Sequence, residues 1–134
     1  MTWFVDASVA VSMLGAEEHW ELLADRLDED HHRIWSAVAQ WESVAGLRSR
    51  LDTTVEIARG LVDEFAELHH IQMVAIGERE MGLALDAYQQ YGKNSGHKAR
   101  LNMGDCFAYA CAKSNQARLL YKGNDFTRTD MALA

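Results

Sequence analysis

Short β-branched or aromatic runs alternate with longer segments of helical periodicity along this whole chain. Strands separated by helices cannot close tight hairpins; they pair in parallel, and the helices cover the sheet. The expected fold is therefore α/β: a single domain over residues 1–134, with a central, mostly parallel sheet of four to five strands flanked by helices on both faces. A chain of 134 residues is long enough to bury such a core. It carries no internal repeat and no low-complexity tract.

Trp3-Phe4-Val5 reads as the first strand, and it stops on Asp6. Ser8 makes the turn into a short helix from Val9 to Leu14, and a second helix is expected from Glu18 to about Asp30. Ile34-Trp35-Ser36 is a short strand, with Ser36 placed to cap a helix from Ala37 to about Leu51. Glu42 falls in that helix among the apolar positions Val38, Trp41 and Ala45. Thr53 or Thr54 caps the next helix, to about His69, and Ile71 to Ile76 reads as a strand. A helix from Glu78 to about Tyr91 leads to a turn-rich, acid-free loop over residues 92–100. Leu101 to Asp105 precede a small-residue helix from Cys106 to about Ser114, Leu119-Leu120-Tyr121 is the last strand, and Lys122 to Phe126 leave it.

This order places the acids. In a parallel sheet the connecting helices run antiparallel to the strands, so the start of a helix that leads into a strand lies at the edge where strands end. Asp6 ends a strand, and Glu42 is in the first half of a helix that follows one. Asp105 begins the helix that leads into the last strand, and Asp125 lies just beyond that strand. All four fall on the carboxyl edge, where open α/β sheets bind ligands. Taken one at a time these acids have plainer readings: a turn former or helix cap for Asp6, a helix-surface acid for Glu42, a cap shared with Asn102 for Asp105. Together they need compensation, because carboxylates at short range repel. A shared proton or a hard divalent cation supplies it, and Mg2+ takes an all-oxygen set with several waters.

The residues that carry this pattern resemble a known family. Val5-Asp6-Ala7-Ser8, the acid at Glu42, the run Leu101-Asn102-Met103-Gly104-Asp105-Cys106-Phe107-Ala108-Tyr109-Ala110, and Leu120-Tyr121-Lys122-Gly123-Asn124-Asp125-Phe126 are similar to the PIN domain. The likeness is to VapC, the toxin half of type II toxin–antitoxin pairs, and it runs the length of the chain. It implies a Mg2+-dependent endoribonuclease, with Mn2+ as an alternative ion, in which Asp6, Glu42 and Asp105 are metal ligands and Ser8 supports the first. Asp125 is the candidate for the fourth acid. Many members carry that acid a residue or two earlier, where this chain has Gly123 and Asn124, so Asn124 is the neutral alternative. The resemblance also implies RNA as substrate, a homodimer and a small VapB-type antitoxin.

The formal net charge of −7 argues against indiscriminate nucleic-acid binding and suits a basic partner. Lys93, Lys98 and Arg100 in the loop before Asp105 are candidates to contact RNA phosphates, against the plainer reading of a solvated loop. No run is apolar enough to cross a bilayer and no basic leader precedes Trp3, so a cytoplasmic protein without a membrane role is expected. Cys106 and Cys111 read as small buried hydrophobes and not a bridge, and the adjacent His pairs 31–32 and 69–70 as surface residues and not zinc ligands. Trp3, Trp20, Trp35 and Trp41 are read as core or dimer contacts. Two other classes fit less of the pattern. A non-catalytic PIN-like module that binds RNA or protein gains nothing from clustered acids, and a phospho-acceptor domain lacks an Asp at a central strand end.

Overall fold

A computed structural model describes residues 1–132. Four strands form one sheet in the order β3-β2-β1-β4, parallel throughout: β1 (Thr2–Val5), β2 (His32–Ser36), β3 (Ile71–Val74) and β4 (Arg118–Leu120). Six helices connect them: α1 (Ala7–Leu14) and α2 (Trp20–Leu27) between β1 and β2, α3 (Ala37–Leu51) and α4 (Val55–Leu68) between β2 and β3, then α5 (Glu78–Tyr91) and α6 (Met103–Ser114) before β4. The first two crossovers step across the sheet in one direction and the last returns over it to the far side of β1. With right-handed crossovers, that reversal puts helices on both faces. It also makes the seam between β1 and β4 the topological switch point.

The central strands are buried because both faces are covered. Trp3, Phe4, Val5, Ile34, Trp35, Leu119 and Leu120 have almost no exposed surface. The edge strand β3 is more open, and it stops at Val74, two residues before the expected end. Helix α1 starts at Ala7 and α6 at Met103, both earlier than the apolar patterning indicated, because Asp6 and Asn102 cap them. Helix α2 is shorter than its pattern, Trp20–Leu27, and β4 is displaced by one residue from the expected 119–121.

Helix α3 buries Leu47 of the expected apolar stripe but not Trp41. Its buried residues are Ala39, Ser43 and Leu47, while Trp41 is 71 % exposed. Small side chains let α3 approach closely, and the Ser43 hydroxyl donates to the Ala39 carbonyl at 2.8 Å, which satisfies it inside the protein. Of the tryptophans, only Trp3 and Trp35 are core residues. Cys106 and Cys111 are buried and unbridged. Among the described residues no helix is long and apolar enough to cross a membrane.

Candidate metal centre

Asp6 leaves β1 and immediately caps α1, so one residue fixes both the strand end and the helix start. Its backbone N–H donates to the Leu120 carbonyl at 3.0 Å, continuing the β1–β4 pairing to the last rung. Both Ser8 hydrogen bonds fall on Asp6 Oδ2, from the amide at 3.0 Å and from the hydroxyl at 2.6 Å. The Ser8 hydroxyl accepts in turn from the Lys122 amide at 2.9 Å. This short chain of bonds ties the segment after β4 to the acid that ends β1.

Asp105 occupies the third position of α6. Its amide donates to Asn102 Oδ1 at 2.8 Å, and its Oδ2 accepts from the Asn102 amide at 3.1 Å, a reciprocal capping box. The helix-capping reading of Asp105 is thus met, by a side chain that also lines the cleft described below. Glu42 comes from the second turn of α3, and its carboxylate rests against the backbone of Gly104. A Cβ at residue 104 would come within 2.0 Å of Glu42 Oε2, so only glycine admits the carboxylate there.

Asp6, Ser8, Glu42 and Asp105 line one cleft of about 420 Å3 at the carboxyl edge, together with Glu17 and Lys122. The electrostatics are those of acids gathered in a partly buried cleft. Burial pushes the Asp6 carboxyl above the ordinary range, against the opposing pull of the Ser8 hydrogen bonds, and the charge of Asp125 adds to the rise. Glu42 is raised by burial and then by Asp6. Asp105 is pushed up to about 7, first by burial and then by Asp125, Asp6 and Glu42, while the Asn102 amide works the other way. Among the described residues no three His, Cys, Asp or Glu side chains are drawn close enough to grip an ion. The donor set, carboxylate oxygens shaped by a glycine cradle, fits a hard divalent cation and no softer one.

The other candidates lie further out. Asn124 and Asp125 are exposed and outside the cleft lining, although Asp125 is near enough to act on Asp6 and Asp105. The Asn124 carbonyl accepts from Thr127, which fixes the turn after β4. Lys93, Lys98 and Arg100 are exposed and also outside the lining, and Lys93 faces a groove between α5 and α6. Two residues of the cleft wall and one beside Glu42 were not singled out for the site from sequence. Glu17 sits in the loop between α1 and α2, Lys122 follows β4, and Gly104 makes the cradle. Lys122 was findable, since it follows a strand that ends at the carboxyl edge; Glu17 was not, since it follows a helix that starts there.

The sequence has counterparts among known proteins. The chain is 43% identical to a VapC ribonuclease of Rhizobium meliloti (strain 1021), over 96% of this chain and 98% of that one. It is 36% identical to Ribonuclease VapC28 of Mycobacterium tuberculosis, over 97% and 96% of the two chains, and 35% identical to Ribonuclease VapC42 of the same species, over 95% of each. The family model described as PIN domain matches residues 3–131, which take in every strand and helix described above except Thr2 at the start of β1, and the chain belongs to that family.

Proposed function

We propose that this protein is a Mg2+-dependent endoribonuclease toxin of the VapC type, which hydrolyses phosphodiester bonds in RNA to inhibit translation or growth and is neutralised by a VapB-type antitoxin. The observation that carries the reading is the convergence of Asp6, Glu42 and Asp105 on one cleft from three separate elements. Full-length similarity to proteins named as VapC ribonucleases supports it. Asp6, Glu42 and Asp105 would hold Mg2+, or Mn2+ with the same donor atoms. A bound divalent ion supplies an acidified water as nucleophile and positive charge beside the leaving oxygen. The chain's own contribution is positional. Ser8 locks the rotation of the Asp6 carboxylate, the capping box locks Asp105, and Gly104 sets the depth of Glu42. Near neutrality the Asp105 carboxyl exchanges its proton readily, so taking up a cation releases that proton.

A homodimer acting in the cytoplasm belongs to the same proposal. Trp41, Val55 and Met73 form an exposed apolar groove of the kind that oligomers cover. The acidic balance of the chain favours a basic antitoxin. Asp6→Asn and Asp105→Asn test the function. Each is expected to abolish RNA cleavage and growth arrest in cells while leaving the far-ultraviolet circular dichroism unchanged. Full nuclease activity in either purified variant overturns the assignment.

A further inference from the structure

Lys122 is the one basic side chain, among the described residues, that lines the acidic cleft. Its two ends do different things. The backbone amide supports Ser8 and through it Asp6, whereas the side-chain Nζ stands 3.7 Å from Glu17 Oε1. The other oxygen of Glu17, Oε2, faces Arg50 Nη1 at 3.9 Å. Arg50 is laid over Gly15, where a Cβ would come within 3.0 Å of its Cγ and 2.8 Å of the Val11 carbonyl oxygen. Glu17 and Lys122 are both partly sheltered, with side chains 26% and 33% exposed, so they belong to the cleft wall.

The length of this contact matters. At 3.7 Å the ammonium is an ion-pair neighbour of Glu17 without a hydrogen bond, and such a pair is cheap to part. A lysine left untethered here would fall onto the carboxylates of Asp6 and Asp105 and fill the place of a cation. Glu17, steadied by Arg50, gives the ammonium a partner on the far wall instead. The lysine is thereby kept beside the site with its charge available to an arriving anion. A phosphodiester is an anion that must enter past four acids, and a compact ammonium with three donors is the group to receive it.

We infer that the Lys122 side chain, held in reserve by Glu17, binds a phosphate of the RNA backbone at the mouth of the cleft. This rests on the ribonuclease reading above. Lys122 is then a substrate-binding residue and Glu17 a positioning residue that acts through it. The test uses the full chain, Mg2+ and a random-sequence single-stranded RNA pool, with wild type, Lys122→Ala, Lys122→Arg and Glu17→Gln side by side. Lys122→Ala keeps the amide that supports Ser8. It is expected to raise KM about tenfold with kcat little changed, and to flatten the slope of log(kcat/KM) against log salt by about 0.7. Lys122→Arg should keep the wild-type salt slope. Mn2+ affinity, read by electron paramagnetic resonance without RNA, should be unchanged or tighter in Lys122→Ala and weaker in Glu17→Gln, where the freed ammonium competes for the carboxylates. A wild-type KM and salt slope in Lys122→Ala overturns the inference and leaves the ribonuclease reading standing. Weakened Mn2+ binding in that variant overturns it too, because the lysine would then be structural. A wild-type protein that leaves the RNA intact removes the ribonuclease reading and this inference with it.

Discussion

The two ends of the sheet treat the same kind of side chain in opposite ways. At the amino edge, Asp30 accepts from Arg118 at 2.8 Å and faces the N-terminal ammonium at 3.4 Å, and Arg118 holds its carboxyl below the ordinary range. The Arg118 guanidinium lies 3.9 Å from the centroid of the Trp3 ring. Nearby, the buried Arg33 donates to the carbonyls of Asp30, Leu27 and His69 at 2.9–3.0 Å, which closes the ends of α2 and α4. At the carboxyl edge, Asp6, Glu42 and Asp105 are driven upward by burial and by one another. At one end an acid is lowered by a cationic partner; at the other the acids are raised by burial and by one another. Stability is concentrated where charges are paired, and chemistry where they are not.

That contrast can be broken most sharply at Gly104. Gly104→Ala places a methyl where the Glu42 carboxylate rests, and the three atoms nearest to it are the movable end of that side chain. The fold should survive with an unchanged melting temperature, while the displaced carboxylate should cost about 100-fold in kcat/KM. Retained activity would mean that Glu42 is not held by its cradle.

The amino edge should show the reverse. Arg33→Ala leaves three carbonyls without their donor and is expected to cost about 3 kcal/mol in urea unfolding, with cleavage per folded molecule unchanged. Arg33→Lys should recover little, since one ammonium cannot span three carbonyls set around a planar fork. A loss of activity in excess of the loss of folded protein would show that the two ends are coupled.

The smallest effect is a difference in pH dependence. The folded-state value of Asp105 is raised from 3.8 to about 7, so without metal the folded form binds its proton more tightly than the unfolded chain does. Its contribution to stability is therefore present below about pH 4 and is lost as pH rises through about 7. Asp105→Asn should be more stable than metal-free wild type by about 2 kcal/mol at pH 8, after allowance for solvent screening of a half-buried group. The gap should close in acid, and saturating Mg2+ should reverse it. Asp30 is lowered, so its contribution is present at neutral pH and lost as pH falls. Asp30→Asn should accordingly be destabilised at pH 7 and converge with wild type in acid. Parallel pH curves for the two variants would erase the distinction between the edges.

The convergence of Asp6, Glu42 and Asp105 was legible before any coordinates, because the alternation of strands and helices dictates which element ends share an edge. Depth was not legible. Asp6 and Asp125 look alike in the chain, yet one is buried under α1 and the other is exposed on a turn, a difference set by packing. The exposure of Trp41 was not legible for a related reason. Its spacing fits an apolar stripe, but the small residues Ala39 and Ser43 on another side of α3 permit closer approach, and closeness decided which side was buried. The role of Gly104 was hidden as well. A glycine beside an acid reads as a turn former, and only the position of Glu42 reveals it as space reserved for a carboxylate.

The seam between β1 and β4 bears on how the protein comes into being. Ser8 and Lys122 are 114 positions apart, and Asp6 relies on Leu120 for its amide partner. A nascent chain still on the ribosome therefore has the first acid but not the strand that seats it. The acidic cleft cannot assemble until residues 118–122 have been made, so a chain cut short before them carries Asp6, Glu42 and Asp105 without the strand that seats the first of them.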